Sequence, residues 1–326
     1  MKTGKLMFIV FLSLIIATNM LSPGAVGATA YPDKPVTLII GFPGGPIDTT
    51  ARAISLVAKN YFPKPIAVVT RPGATGSIAV AEVVRAKPDG YTLGLSPVAP
   101  LTVVPHVSKV PYGSPDDYAP IINLVRISVS MSVRADAPWK TLEELIAEAK
   151  VKPGKIRAGI AAGLSSIFHL NLERFKALAK IDLTAVPFAS SAESVTALLG
   201  GHVSAGLDGL PQILPHVQAG KARVLGVFED KRNPLLPDVP TFKEKGYDIT
   251  LGAYYLIFGP KGLPPQILTT VHDSLKKAME DPIFTKPMVE IGFAIAYEGP
   301  EDTKKRLMRD YIQCKELVET LNLKQN

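Results

Sequence analysis

The sequence predicts an α/β protein folded as two lobes with a cleft between them. Two observations carry that class. From Tyr31 onward, short apolar β-rich runs alternate with helical patterns, the order that builds a parallel sheet covered by helices. The alternation comes as two series, and the 296 residues after position 30 suffice for two domains of ~150 residues each.

The elements follow in order. Val36–Ile40 is a short apolar β-rich run, its LIIG continuously apolar as a strand buried on both faces should be, and a helical pattern covers Thr49–Asn60. Ile66–Val69 is the second strand; the glycine loop RPGATGS then leads into a helix through Ala86, and Tyr91–Leu95 is the third strand. The second series opens with a strand over Ile127–Val133 and a helix over Thr141–Lys150, where Thr141 and Glu144 form a capping box. Strands Lys155–Ile160, Leu183–Val186, Val203–Leu207 and Arg223–Phe228 alternate with helices Leu164–Leu178, Ala192–Leu199 and Pro211–Ala219. The proline-rich stretch 233–247 reads as a linker or surface loop. Strand Tyr254–Phe258 and helices Pro265–Glu280, Ile283–Ile291 and Pro300–Leu321 complete the chain.

Residues 1–30 have the order of a secretory signal peptide: Lys2 and Lys5, then LMFIVFLSLIIA, then small residues. The apolar run falls short of the roughly 20 residues a spanning helix needs. Ala28 and Ala30 make an A-x-A site, with cleavage after Ala30 preferred to cleavage after Ala28. The expectation is an exported, soluble protein of the periplasm. Cys314 is the only cysteine, so no internal disulfide forms. Net charge is +7, or +5 once Lys2 and Lys5 are removed. The basic clusters KK and KKR have acids nearby on helical patterns, and no aromatics interleave with them, so nucleic acid is excluded as a partner.

In open α/β sheets, ligands sit just beyond the carboxyl ends of the strands. Three loops of this kind stand out: Phe42-Pro43-Gly44-Gly45-Pro46-Ile47-Asp48, Ala161-Ala162-Gly163-Leu164-Ser165-Ser166 leading to His169, and Pro187-Phe188-Ala189-Ser190-Ser191. Each offers backbone N–H groups and the positive end of a helix dipole to an anion, without lysine or arginine. Taken singly, each reads rather as turn and cap chemistry, with Asp48 and Ser165 as N-caps, and it is three such loops at strand ends, split between two lobes, that point to an anion site.

Enzymatic fingerprints are missing. There is no G-x-S-x-G, G-x-G-x-x-G or G-x-x-x-x-G-K-[ST], and His106, His169, His202, His216 and His272 are too scattered for a zinc site. Ser165 and His169, four apart, can share a helix face, yet no third residue orients the imidazole. No catalysis, metal or cofactor is expected.

The stretch YPDKPVTLIIGFPGGPIDTTAR resembles the start of the solute receptors of tripartite tricarboxylate transporters, the Bug receptors. RPGATGSIA, KPDGYTL, DDYAPI, AGLSSIFHL, VPFASSAES, LLGGHVSAGLDGL, GKARVLGVF and LPDVPTFKEKGY continue the likeness along the mature chain. The resemblance implies a type 2 periplasmic binding-protein (venus-flytrap) fold, each lobe a mainly parallel sheet flanked by helices. It implies a monomer that closes on a small organic acid, a mono- or dicarboxylate with aromatic acids included, and hands it to a transporter with one large and one small integral subunit. Lobe one is then 31–130 plus 228–326, lobe two the inserted 131–227, and the linkers lie near Val129–Val133 and Val224–Phe228.

Carried over residue by residue, the ligand-binding set is Phe42, Gly44, Gly45, Asp48, Ser96, Ala99, Ala162, Gly163, Ser165, Ser166, His169, Phe188, Ser190, Ser191 and Asp208. Asp48 is expected to cap its helix rather than touch ligand, and His169 and Asp208 to touch ligand or brace the loops. Departures from the family pattern at Ile47, Thr70 and Phe188-Ala189-Ser190 remove a hydroxyl, an amide and a cation from the expected cleft. With Phe42, Phe168, Phe188, Tyr254 and Tyr255 in reach, they favour a monocarboxylate or aromatic acid over citrate-like ligands. Other readings are a receptor that signals to a membrane sensor, a hydrolase using Ser165 and His169, and a scaffold that binds no small molecule.

Overall fold

The computed structural model describes residues 31–164, 166–320 and 322–323. The signal peptide expected over 1–30 and the candidate Ser165 lie outside the described residues. The first part of the chain forms β1 (Val36–Ile40), α1 (Gly45–Ala58), β2 (Ile66–Thr70), α2 (Ser77–Val84), β3 (Thr92–Pro97), the short turns α3 (Ala99–Thr102) and α4 (Val104–Val107), and β4 (Tyr118–Ile127). The middle forms β5 (Val129–Arg134), α5 (Leu142–Val151), β6 (Arg157–Ile160), α6 (Ile167–Ala179), β7 (Thr184–Pro187), α7 (Ser191–Leu199), β8 (Ala205–Gly209), α8 (Leu210–Gln218) and β9 (Ala222–Val227). The last part supplies β10 (Ala253–Pro260), α9 (Pro265–Glu280), α10 (Pro282–Glu290), β11 (Ala294–Glu298) and α11 (Pro300–Thr320).

Two sheets result. The first has six strands in the order β11-β4-β10-β3-β1-β2, the second five in the order β7-β6-β8-β5-β9. Within the first, β1, β2, β3 and β4 share one direction and β10 and β11 oppose them. Within the second, only β5 opposes the rest. β1 lies inside the sheet between β3 and β2, and Val36, Leu38, Ile39 and Ile40 are all buried, with only Thr37 half-buried. α1 turns Ile47, Ala51, Ile54 and Val57 onto the sheet, a three-to-four-residue spacing that makes one apolar face. The capping box at Thr141 is formed: its side chain accepts from the Glu144 N–H and the Glu144 carboxylate accepts from the Thr141 N–H.

Two sequence readings are corrected and a third is narrowed. The strand placed at Ile127–Val133 is two strands in two sheets, divided at Ser128. Its first part, YAPIINLVRI, hides behind Pro120, which reads as a strand breaker; β11, half-exposed at the edge of its sheet, was likewise too weak a pattern to read. The stretch 233–247 is a surface loop, one of the two readings given above, and it is anchored rather than free. Phe242 stacks on Phe228 at 3.9 Å between ring centroids and meets Phe175 edge-on at 4.9 Å, and Tyr247 meets Phe175 at 5.3 Å. Thr241 also bridges to Val227 at the end of β9. The packing beside the second sheet thus continues past residue 227, and the chain rejoins the first sheet only at Ala253.

Candidate functional site

Strand direction decides where the loops go. β4 runs parallel to β1 and β3, so Ile127 ends at the rim where those strands also end. The chain passes through buried Ser128 straight into β5, and Val129 pairs with Gly209 at the carboxyl end of β8. The Leu210 N–H donates to the Ser128 carbonyl at 2.8 Å, fastening that end of β8 to the crossing. The carboxyl rims of both sheets therefore meet at Ser128, and every glycine loop singled out in the sequence lies on one of the two rims.

On the first sheet, the loop after β1 is held by close backbone approach. A Cβ on Gly41 would stand 2.8 Å from the Gly76 Cα, and one on Gly76 would stand 2.8 Å from the half-buried Phe42 ring. Gly44 and Gly45 follow at φ 69° each, a conformation that glycine adopts without strain, and both are exposed with open space around them. Gly44, not Asp48, is the N-cap of α1, and no side chain caps that helix. Asp48 sits in the first turn instead, 3.0 Å from Arg52 one turn on, because a residue four places inside the helix cannot reach back to its own start. α2 likewise begins at Gly76 without a side-chain cap. Ser96 is buried at the end of β3 with its hydroxyl donating to the Pro97 carbonyl at 2.8 Å, and Ala99 opens α3 half-buried.

On the second sheet, the loops are tied to one another. The Gly163 N–H donates to the Phe188 carbonyl at 2.9 Å, and the Phe188 N–H to the Ile160 carbonyl at 2.9 Å. Ser191 Oγ accepts from the Gly209 N–H at 3.2 Å. Ser166 takes the N-cap place expected of Ser165: its Oγ accepts from the His169 N–H at 3.2 Å and lies 2.9 Å from the Ala161 carbonyl and 2.8 Å from that of Gly163. Ser190 caps α7 by accepting from the Glu193 N–H at 3.2 Å, while Glu193 accepts from the Ala189 N–H at 3.2 Å. Ala162, exposed at φ 56°, leads into this group.

Several expected site residues lie elsewhere. His169 is buried, with Nε2 3.7 Å from Glu173; burial lowers its pKa, opposed by Glu173. Asp208 is wholly buried on the α7 side of the second sheet, so its side chain does not reach the rim surface. Tyr254 is buried too and donates to Asp310 Oδ2 at 2.9 Å. Ile47 packs into the core of the first sheet, so its lack of a hydroxyl removes nothing from the rim. Arg71, on the loop after β2, pairs with Glu82 at 2.9 Å and donates to the Thr70 carbonyl at 3.2 Å, and the loop after β9 carries exposed Lys231 and Arg232, the latter paired with Glu244 at 2.9 Å. A cavity of ≈570 Å³ beside Asp116, Lys261 and Lys304 opens at the opposite rim of the first sheet and contains none of these residues.

Residues 50–323 match the model of the tripartite tricarboxylate transporter family receptor. The chain belongs to that family. The "UPF0065 protein in gbd 5'region" of Cupriavidus necator is 32% identical over 302 residues, covering 92% of this chain and 91% of that one. A solved solute-binding protein of the family from Polaromonas superposes with a TM-score of 0.79 at 29% identity, covering 89% of this chain and 99% of that one. Two solved proteins of Rhodopseudomonas palustris carry acids: MatC with bound malate (TM-score 0.73, 25% identity, 88% and 100% covered) and another with adipate (TM-score 0.75, 27% identity, 89% and 98% covered). The receptor fold is the two-lobed, periplasmic binding-protein type that the sequence implied, and the family is one of solute receptors rather than enzymes.

Proposed function

We propose that this receptor binds a small organic acid between its two carboxyl rims and delivers it to a membrane transporter with one large and one small integral subunit. The observation that carries the reading is the reversal at Ser128, which turns the glycine loops of both sheets towards one crossing. Phe42, Gly44, Gly45, Ser96 and Ala99 form one side of the site. Ala162, Gly163, Ser165, Ser166, Phe188, Ser190 and Ser191 form the other, and His169 and Asp48 brace the loops. The first lobe is 31–127 plus the segment from 253 on, and the second is 129–247. Residues 1–30 export the chain as a signal peptide, and it works as a monomer.

The loops after β1, β6 and β7 carry no lysine or arginine among their described residues, so a carboxylate held there is met by backbone N–H groups and hydroxyls. Such a site satisfies one carboxylate more readily than three, since every buried carboxylate needs its own hydrogen-bond partners. Phe42 and Phe188, half-buried on opposite rims, suit an apolar body between. A small mono- or dicarboxylate, aromatic acids included, is therefore preferred to citrate. Malate and adipate, seen in the two relatives, belong in the test set.

Thermal-shift screening of citrate, succinate, malate, adipate and benzoate checks this. A rise in melting temperature with a mono- or dicarboxylate larger than with citrate is expected, and a rise with citrate alone would reverse the preference. Mass spectrometry of small molecules released on denaturation identifies the natural acid. Recovery of none, together with a silent screen, would overturn the reading.

A further inference from the structure

Asp208 is 0% exposed, and neither carboxyl oxygen is held in a hydrogen bond of ordinary geometry among the described residues, although the Ser194 hydroxyl lies close enough to act on it. It stands one residue before the carboxyl end of β8, beneath the loops that carry the proposed site. Two glycines make its space. A Cβ on Gly206 would stand 2.4 Å from Asp208 Oδ2, and one on Gly159, the residue paired with Gly206 on β6, would stand 2.7 Å from Ser194 Oγ. The Phe188 ring lies 3.3 Å from that second position, so a rim residue covers the cluster. On β5, the Ser130 hydroxyl donates to the Asp208 carbonyl at 3.3 Å and Ser132 to the Gly206 carbonyl at 3.5 Å.

The charged groups on the surrounding elements are placed elsewhere. Arg134, at the far end of β5, pairs with Asp136; Arg157 on β6 is exposed; Glu193 on α7 is tied to the Ala189 N–H; and His216 lies near the end of α8. None of them shifts Asp208. Burial pushes its carboxyl up to about 7, and the Ser194 hydroxyl draws it partly back. An ionised carboxylate here would be a buried charge without a counter-ion, whereas the protonated acid is neutral.

We propose that Asp208 is a proton-binding site beneath the cleft, and that the receptor takes up a proton from solution together with its organic anion. The coupling rests on the carboxylate reading above. An anion at the loops after β6, β7 and β8 is a like charge near Asp208 and favours its neutral form. Anion and proton then help each other bind, and by linkage the help is mutual. At pH 8 the free receptor has lost this proton and regains it on binding, so affinity falls as pH rises above neutrality, by at most ~tenfold per unit for one proton.

Two measurements on wild type and Asp208→Asn test this. Without ligand, denaturant unfolding is followed from pH 4 to 8. Because the folded pKa lies above the unfolded value, wild type should lose stability relative to Asp208→Asn as pH rises through about 7. Parallel profiles would overturn the proton site. If Asp208→Asn does not fold, Ser194→Ala serves: removing the hydroxyl should move the transition to higher pH, and an unmoved transition would count against the site. With ligand, calorimetric titrations of succinate and of benzoate at pH 8 are compared in phosphate and Tris buffers. Proton uptake appears as a buffer-dependent heat in wild type that is absent in Asp208→Asn. Binding without that dependence, or with the same dependence in the variant, would overturn the coupling. Failure of both acids to bind removes the coupling along with the carboxylate reading, while the ligand-free profiles still decide the proton site.

Discussion

The two rims are built from similar loops and finished differently. On the first sheet, α1 and α2 start at Gly44 and Gly76 with no side-chain cap, and the loop is shaped by glycines and by the Phe42 ring. On the second, Ser166 and Ser190 cap α6 and α7, and Ser191 holds the Gly209 N–H. An uncapped helix start leaves backbone donors for a ligand; a serine cap consumes them within the protein. The lesson is a division of labour. In the proposed site the first lobe leaves backbone amides for a carboxylate, and the second sets its capped loops and an apolar residue, Phe188, against it.

This contrast is broken or sharpened by substitutions on either side. The largest effect is expected at the open loop: Gly45→Asp sets a like charge against the anion and should weaken binding by ~100-fold or more, read by calorimetry. Gly44→Ala comes next. Its φ of 69° and ψ of 177° suit glycine alone, and the strain should cost the loop its shape and about tenfold in affinity. Retained affinity in both variants would mean the first rim is not where the acid sits. On the other rim, Ser190→Ala should cost ~1 kcal/mol of stability, read by denaturant unfolding, while affinity changes by less than ~threefold. A tenfold loss of affinity there would show that the second lobe's hydroxyls serve the ligand after all. The smallest effect is expected at Asp48→Asn. It removes a partly exposed pair with Arg52 and should change affinity by less than ~twofold.

Legibility from sequence followed the same divide. The strands that precede the loops were readable because β1, β2 and β3 are short, mostly apolar runs followed closely by glycine or proline. Gly44-Gly45 was readable as a bared backbone because only glycine tolerates its conformation. What misled was any assignment needing the far partner of a side chain. Asp48 and Ser165 looked like caps by residue type, but a cap depends on the turn at which the helix actually starts. Tyr254 and Asp208 looked like rim residues by position, but strand pleat turns their side chains inward. The stretch 233–247 was readable as a linker or surface loop from its prolines, but not its anchoring, since Phe242 finds Phe175 some seventy positions earlier in the chain.

The sequence by itself determined the alternation of strand and helix, the glycine loops at strand ends and the family, because these are local patterns of periodicity and turn chemistry. Only the tertiary structure decided that the stretch after Tyr118 is two strands divided at Ser128, and hence that the two rims meet. That fact depends on which strand pairs with which, and pairing is a contest among distant segments for the same backbone hydrogen bonds. Neighbouring residues along the chain carry no record of its outcome.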